Sequence, residues 1–148
     1  MDAAIYDCPM EWGPLLPPGT RRVRRAGELS EHLWPLLVLT RRGCPALEGL
    51  PGGAVCRLLL APGDCGAALG RVQAEAVISY GLSPRDSLTL SSLAEPVLCV
   101  QRALPRPDGA VIDPQEFPLP PLPGPAEALL PILGLRLLQM PLTEGCFP

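Results

Sequence analysis

Residues 79–87, SYGLSPRDS, carry the side chains best suited to ligand binding in this chain. They follow an apolar run, EAVISY, whose composition is typical of a buried strand. Open α/β folds bind ligands at the carboxyl ends of parallel strands, and an arginine beside hydroxyl groups can hold a phosphate or carboxylate. The sequence therefore predicts a ligand-binding rim formed by Ser79, Tyr80, Ser83, Arg85 and Ser87.

The hydroxyl groups of this region also have a purely structural interpretation. Residues 87–93, SLTLSSL, alternate polar and apolar side chains, as strands with one buried face do. Leu88 and Leu90 would then face the core, while Ser87, Thr89 and Ser91 would face water. We favour this solvated sheet face and keep the small anion site as the alternative.

Residues suited to catalysis or metal binding are scarce. The chain has one histidine, His32, which falls in a predicted amphipathic helix, and it has no lysine. The six cysteines are scattered without a C-x-x-C pair, so a clustered zinc site is not expected. Without lysine, neither a Schiff base nor a phosphate-loop lysine is possible. We predict no catalytic residue, no metal site and no cofactor.

The cysteines are predicted to be free thiols. Cys56 and Cys99 lie in apolar runs, so we expect both side chains to be buried. The other four lie in loops or near the chain ends and should be accessible to solvent: Cys8, Cys44, Cys65 and Cys146.

The charge and composition limit the classes of partner. The net charge is −3, and the basic cluster of arginines at 21–25 has no interleaved aromatic side chains. We therefore expect neither nucleic-acid nor membrane binding. The first residues, MDAAIYDCPM, lack the pattern of a signal peptide, and no apolar run is long enough to span a bilayer. These features predict a cytoplasmic protein, and the use of arginine alone as the base indicates a GC-rich, bacterial genome.

Three apolar runs, at 36–40, 55–61 and 75–80, predict the strands of a small, mostly parallel sheet. A helix at 27–36, ended by Pro35, and short turns at 44–54 and 64–69 would connect and flank them. The proline-rich residues 1–19 are predicted to be irregular. The length of 148 residues fits a single domain over 1–148.

After the predicted rim, the sequence pattern changes from continuous apolar runs to alternating polar and apolar residues. Two runs at 87–93 and 97–102 predict an antiparallel β-ribbon, and Asp108-Gly109 predicts a hairpin turn. The segment FPLPPLPGP, at 117–125, predicts an extended proline-rich strap. Residues 126–138 predict a C-terminal helix bent at Pro131. The predicted class is thus an α/β fold: a small mostly parallel sheet with flanking helices, then a β-ribbon, a strap and a helix.

The predicted C-terminal helix carries one apolar face. A helix with such a face and no assigned neighbour is a candidate surface for a protein partner or for self-association. Its leucines are Leu129, Leu130, Leu133 and Leu137.

Two segments resemble the later part of the central domain of Mur ligases, the ATP-dependent amide-forming enzymes of peptidoglycan synthesis. EAVISYGLSPRDSLTLSSL, at 75–93, resembles their strand ending in an aromatic-glycine turn followed by an acidic residue and a ribbon. PLPGPAEALLPILGL, at 121–135, resembles their Pro-Gly turn and alanine-rich helix. The phosphate-loop lysine and the carbamylated lysine of that family are missing. The resemblance implies a similar strand order and carries over no catalytic residue.

These observations lead to two functional hypotheses. The first is a non-enzymatic cytoplasmic α/β protein that binds a protein partner or a small ligand. The alternative is a small enzyme or degenerate Mur-ligase-like protein with an anion- or nucleotide-binding rim near Tyr80–Arg85.

Overall fold

The computed structural model describes residues 3–140 and Phe147. Strands and helices alternate in the first half, and strands dominate the second until the last helix. In chain order the elements are β1 (Ala3–Tyr6), β2 (Thr20–Val23), α1 (Ala26–Leu29), β3 (Leu33–Leu39), α2 (Cys44–Glu48), β4 (Ala54–Pro62), α3 (Gly66–Leu69), β5 (Val72–Tyr80), β6 (Leu88–Ser92), β7 (Val97–Val100), β8 (Leu104–Pro105), β9 (Val111–Ile112), β10 (Gln115–Pro118) and α4 (Leu130–Gln139), with 3₁₀ helices at Met10–Leu15 and Arg41–Gly43.

Eight of these strands form one mixed sheet in the order β2-β1-β3-β4-β5-β6-β7-β10. The pairs from β2 to β6 are parallel, and the pairs β6-β7 and β7-β10 are antiparallel. β8 and β9 form a separate two-stranded hairpin. This architecture confirms the predicted α/β class, with its parallel sheet, ribbon and terminal helix. None of the helices in residues 3–140 is long and apolar enough to cross a membrane.

The carboxyl-terminal halves of β3 and β4 are buried on both faces, which explains why they read as continuous apolar runs. Along β3, Leu36 and Val38 belong to one apolar cluster, while Leu37 and Leu39 belong to another. α4 covers the first cluster, and the short helices α1, α2 and α3 cover the second. The carboxyl ends of the parallel strands therefore lie between two helical layers.

The terminal helix is a core element. It begins at Leu130, so Pro131 lies in its first turn. Backbone N–H groups in the first turn have no partner within the helix, so a proline there removes no hydrogen bond and causes no bend. The predicted bend is therefore wrong. A side chain at Gly134 would place its Cβ 2.8 Å from Leu60 Cδ2, because helix and sheet approach closely there. The four leucines predicted to contact a partner are buried in this packing: Leu129, Leu130, Leu133 and Leu137. A partner would therefore have to use another surface.

Two predictions about the first 40 residues are wrong. The segment predicted to be irregular contains β1, which occupies an interior position in the sheet. The helix predicted over 27–36 ends at Leu29, and β3 begins at Leu33. Pro35 lies inside this strand. The parallel pairing joins Trp34 to Cys56 and Leu36 to Leu58, and it passes over the residue that has no N–H to donate.

The proline-rich strap is shorter than predicted. Phe117 and Pro118 belong to β10 and pair with Leu98 and Val97. Pro118 is tolerated because β10 is an edge strand. Residues 119–125 form no regular structure, and Leu119 and Leu122 within them pack against the core. The turn predicted at Asp108-Gly109 is confirmed, with Gly109 at φ 88° between β8 and β9.

The thiols are buried differently from the prediction at two positions. Cys56 is buried, as predicted, but Cys99 is only half-buried because it lies on the opposite face of β7 from the buried Leu98 and Val100. Cys44 is buried although it was expected to be accessible, because α2 packs its first residue onto the sheet. Cys8 and Cys65 are half-buried. Cys146 lies outside the described residues.

Candidate functional site

A cleft opens at the point where the direction of strand order reverses. In the sheet, β2 lies on one side of β1 and β3 lies on the other. The chain first places β2 at the edge, then crosses to β3, and continues from there to β4. The carboxyl ends of β1 and β3 are neighbours, and the chain turns away from both, which leaves a crevice between them. A cavity of about 420 Å³ occupies this crevice.

The walls of this cleft come from segments far apart in the sequence. The 3₁₀ helix Met10–Leu15 supplies Trp12, and the start of α4 supplies Leu130 and Pro131. These walls are aromatic or aliphatic, so they suit the flat apolar body of a ligand. The full lining is Asp7, Pro9, Trp12, Thr40, Arg41, Arg42, Tyr80, Gly81, Leu82, Glu127, Ala128, Leu130 and Pro131.

Two arginines at the end of β3 supply the positive charge of the cleft. Arg42 holds Asp7 in a fork, with Nη2 3.1 Å from Oδ1 and Nε 3.3 Å from Oδ2. Arg41 forms an ion pair with Asp64 through Nη1, and both side chains are largely exposed. Exposed pairs of this kind contribute little to stability, about 0.2–1 kcal/mol, so Arg41 can turn its other N–H groups to a ligand at small cost.

The floor of the cleft is held in place by Thr40. Its hydroxyl lies 3.0 Å from the Tyr6 oxygen and 3.1 Å from the Asp7 oxygen, and it accepts a hydrogen bond from Gly43 N. These bonds join the end of β1 to the 3₁₀ helix that follows β3. Asp7 has a left-handed backbone conformation, φ 57°, which turns the chain sharply away from the sheet at the cleft.

Tyr80 separates this cleft from a second cavity. Its ring is buried, and its hydroxyl donates a hydrogen bond to Leu39 O at 2.7 Å. Burial raises the pKa of the Tyr80 phenol well above its ordinary value, so the hydroxyl stays protonated at neutral pH. Tyr80 therefore serves the cleft as a rigid wall, with its one O–H group already bound to Leu39 O.

The predicted rim lines part of the second cavity, whose volume is about 410 Å³. Tyr80, Ser83 and Arg85 all line it, and the side chains of Ser83 and Arg85 are exposed at its edge. Ser79 and Ser87 do not line it. They bind each other instead, because Ser79 Oγ accepts a hydrogen bond from Ser87 N at 3.1 Å.

The interpretation of a solvated sheet face is wrong at two of its three positions. Ser91 is exposed, but Ser87 is 5% and Thr89 8% exposed. β6 lies inside the sheet between β5 and β7. The side chain of Arg102 also crosses this region, where Nη1 donates to Arg85 O at 2.7 Å. The Ser87 hydroxyl accepts a hydrogen bond from Arg102 Nη1 at 3.4 Å, so it binds within the chain.

Asp86, which was not among the predicted site residues, organises the loop between β5 and β6. Its carboxylate is buried and accepts a hydrogen bond from Ser83 N at 3.1 Å. Added side chains at Gly63 and Gly81 would overlap this carboxylate. The available signals were the spacing Ser83-x-x-Asp86, typical of a turn, and a glycine directly after each of two strand ends.

The packing of Gly63 against Asp86 leads to a testable result. We expect Gly63→Ala to lower the free energy of unfolding by about 1–3 kcal/mol, because the new methyl group overlaps a buried carboxylate. Gly66→Ala is the matched control, because nothing lies within 4 Å of a side chain there and the residue begins α3. Urea unfolding followed by circular dichroism measures both variants. Equal stability of the two would contradict the described position of Asp86.

The described residues include no group of three or more histidine, cysteine or acidic side chains placed to hold a metal ion. Comparison of the chain with family models, with curated proteins and with solved structures finds no match.

Proposed function

We propose that the protein binds a small ligand in the cleft at the carboxyl ends of β1 and β3. The observation that supports this most directly is the position of the cleft, at the topological switch point where open α/β sheets bind ligands. Its volume is within the range of small-molecule sites.

The walls and charges of the cleft suggest the chemical class of that ligand. Trp12 and the first residues of α4 offer apolar contact to a flat body, and Arg41 and Arg42 offer donors to an anionic group. Three acidic residues line the cleft or pair with its arginines: Asp7 pairs with Arg42, Asp64 pairs with Arg41, and Glu127 lines the cleft. Because acids outnumber bases, a ligand with one anionic group fits better than a polyphosphate.

We further propose that binding is not accompanied by catalysis. His32, the one histidine of the sequence, precedes the first residue of β3, whereas the cleft surrounds the last. Strands rise about 3.3 Å per residue, so His32 is separated from the cleft by the length of the strand. The buried Tyr80 phenol stays protonated and is a poor general base. A bacterial, cytoplasmic protein remains our proposal from composition.

The second candidate function is a small enzyme or degenerate Mur-ligase-like protein acting at the rim. The supporting observation is that Arg41 and Tyr80 line both cavities, so a ligand could extend from the first cavity toward Ser83 and Arg85. Incubation with ATP and Mg²⁺, followed by an assay for released phosphate, distinguishes the candidates. Binding without turnover supports the first, and turnover that is lost in Arg85→Gln supports the second.

The proposed ligand class can be tested with adenosine monophosphate as the probe. We expect isothermal titration calorimetry to show tighter binding of adenosine monophosphate than of adenosine or of inorganic phosphate. The reason is that only the nucleotide combines a flat body for Trp12 with an anion for Arg41. A charge-assisted hydrogen bond contributes about 1.5–3 kcal/mol, so Arg41→Gln should weaken binding about tenfold or more.

Arg57→Gln is the matched control for this experiment. Arg57 is exposed in the middle of β4, and it does not line the cleft. Its loss removes the same charge and should leave the affinity unchanged. Equal weakening by both variants would mean that the nucleotide responds only to net charge, and the proposed site would be wrong.

A further inference from the structure

The eight-stranded sheet is almost divided between β5 and β6. On one side, β4 pairs with β5 over its whole length, from Val72 to Tyr80. On the other side, β6 pairs with β5 at a single position, Tyr80 with Leu88, because β6 begins where β5 ends. Among the described residues, no strand pairs with this side of β5 from Val72 to Ile78. We call this stretch the free edge of β5. An unpaired edge presents backbone N–H and C=O groups to a further strand.

The two outer edges of the sheet are protected against such pairing, whereas the free edge of β5 is not. β2 carries the exposed charges of Arg21 and Arg22. β10 has only four residues and ends in Pro118. Charge, short length and proline all discourage pairing with another chain. The free edge of β5 is longer, contains no proline and no basic residue, and has Glu75 as its only charge.

Exposed apolar side chains lie on or beside the free edge. Leu33 on β3 and Val55 on β4 are register partners, and Val55 is in turn the partner of Gln73. Leu33 is 58%, Val55 42% and Val77 50% exposed. Apolar surface next to an unpaired strand is typical of a site that another protein covers.

We propose that a second copy of the chain pairs with the free edge of β5, antiparallel and about a two-fold axis at Ala74. In this register Gln73 of each copy lies opposite Glu75 of the other, so the amide can donate to the carboxylate. The half-buried Val72 and Ala76 also lie opposite each other. An axis at Glu75 would instead place two carboxylates opposite each other, which is destabilising.

This pairing is closed, because each copy uses the free edge of the other and no further strand can be added there. Self-association would then use β5 and not the buried leucines of α4. The free edge ends before Tyr80 and takes no part in the cleft. The inference therefore stands apart from the proposed ligand binding.

Sedimentation velocity centrifugation of the full chain tests the pairing. A contact between two short strands buries a small interface, so we expect a weak, reversible dimer. The average mass should rise from one chain toward two as the concentration increases from about 1 µM to about 1 mM. Gln73→Glu places like charges opposite each other at two symmetric positions and should weaken the dimer about two- to thirtyfold. Gln73→Lys places an ammonium group opposite Glu75 and should strengthen it.

Gln115→Glu is the matched control, because it makes the same change of shape and charge at an exposed residue of β10. It should leave the dissociation constant unchanged. Circular dichroism shows whether each variant keeps its fold, which is expected since both glutamines are exposed. Equal weakening by Gln73→Glu and Gln115→Glu, or weakening by Gln73→Lys, would overturn the proposal.

Hydrogen exchange measured by mass spectrometry locates the interface in the unmodified chain. We expect amides within 72–78 to exchange more slowly at the concentration that favours the dimer than in dilute solution. A chain that stays monomeric up to about 1 mM would overturn the proposal. Slow exchange of 72–78 that does not depend on concentration would also overturn it, because another segment of the same chain would then cover the edge.

Discussion

Replacement of Trp34 by alanine is expected to lower the free energy of unfolding by about 3–5 kcal/mol, the typical cost of removing a fully buried tryptophan. Its ring lies in the apolar cluster beneath α1, and its Nε1 donates a buried hydrogen bond to Leu29 O at 3.0 Å. The variant therefore loses packing and leaves the Leu29 carbonyl without this partner. Urea unfolding followed by circular dichroism measures the loss.

Trp12 is the matched control, because the chain contains two tryptophans in different environments. Trp12 is half-buried at the wall of the cleft. We expect Trp12→Ala to cost less than half as much stability as Trp34→Ala, while it weakens the binding of adenosine monophosphate. Equal destabilisation by the two variants would contradict their assigned environments.

The second large effect is expected at Gly53, before β4. Its φ is 66°, and an added Cβ would overlap the backbone oxygen of Arg71. That oxygen accepts a hydrogen bond from Ala54 N at 3.0 Å, at the start of the pairing between β4 and β5. A left-handed conformation costs an alanine about 1–2 kcal/mol, and overpacking adds about 1–3 kcal/mol. Gly53→Ala should therefore lower the free energy of unfolding by about 2–5 kcal/mol.

Gly52 separates the two causes. Its φ is 79°, and nothing lies within 4 Å of a side chain at this position. Gly52→Ala should lower the free energy of unfolding by the conformational term alone, about 1–2 kcal/mol. The difference between the two unfolding midpoints then measures the overlap with Arg71. Identical midpoints would show that the backbone can move to admit the side chain. They would contradict the described close approach of Gly53 to the Arg71 oxygen.

The parallel core could be predicted because its strands carry their signal locally. β4 contains the apolar run LLLAP, which is buried on both faces and can be recognised without its partners, and β5 ends in the shorter apolar run AVISY. β1 could not be predicted in this way, since four residues among prolines are too few to show a period. The predicted helix at 27–36 failed because Leu29 and Leu33 have helical spacing, whereas burial of Trp34 in the sheet decided the structure.

The predicted rim and the observed cleft show the same limit. Tyr80, Ser83 and Arg85 were predicted because they follow one strand end within a few residues. The apolar wall of the cleft is formed by Trp12 and Pro131, and no local sequence pattern links residues so far apart in the chain. Buried hydroxyls were also misassigned, because alternation shows which side chains share a face but not whether a neighbouring strand or side chain covers them.

The most direct test of the proposed site is a nuclear magnetic resonance titration of the uniformly ¹⁵N-labelled chain with adenosine monophosphate. We expect the largest amide shifts at the carboxyl edge, in residues 7–12, 40–42, 80–82 and 127–131. A competing cavity of about 480 Å³ lies at the opposite edge, around Gly52–Val55 and Gly70–Gln73. Saturable shifts confined to the carboxyl edge would support binding in the cleft, whereas shifts centred on that opposite cavity, or no shifts at millimolar nucleotide, would contradict it.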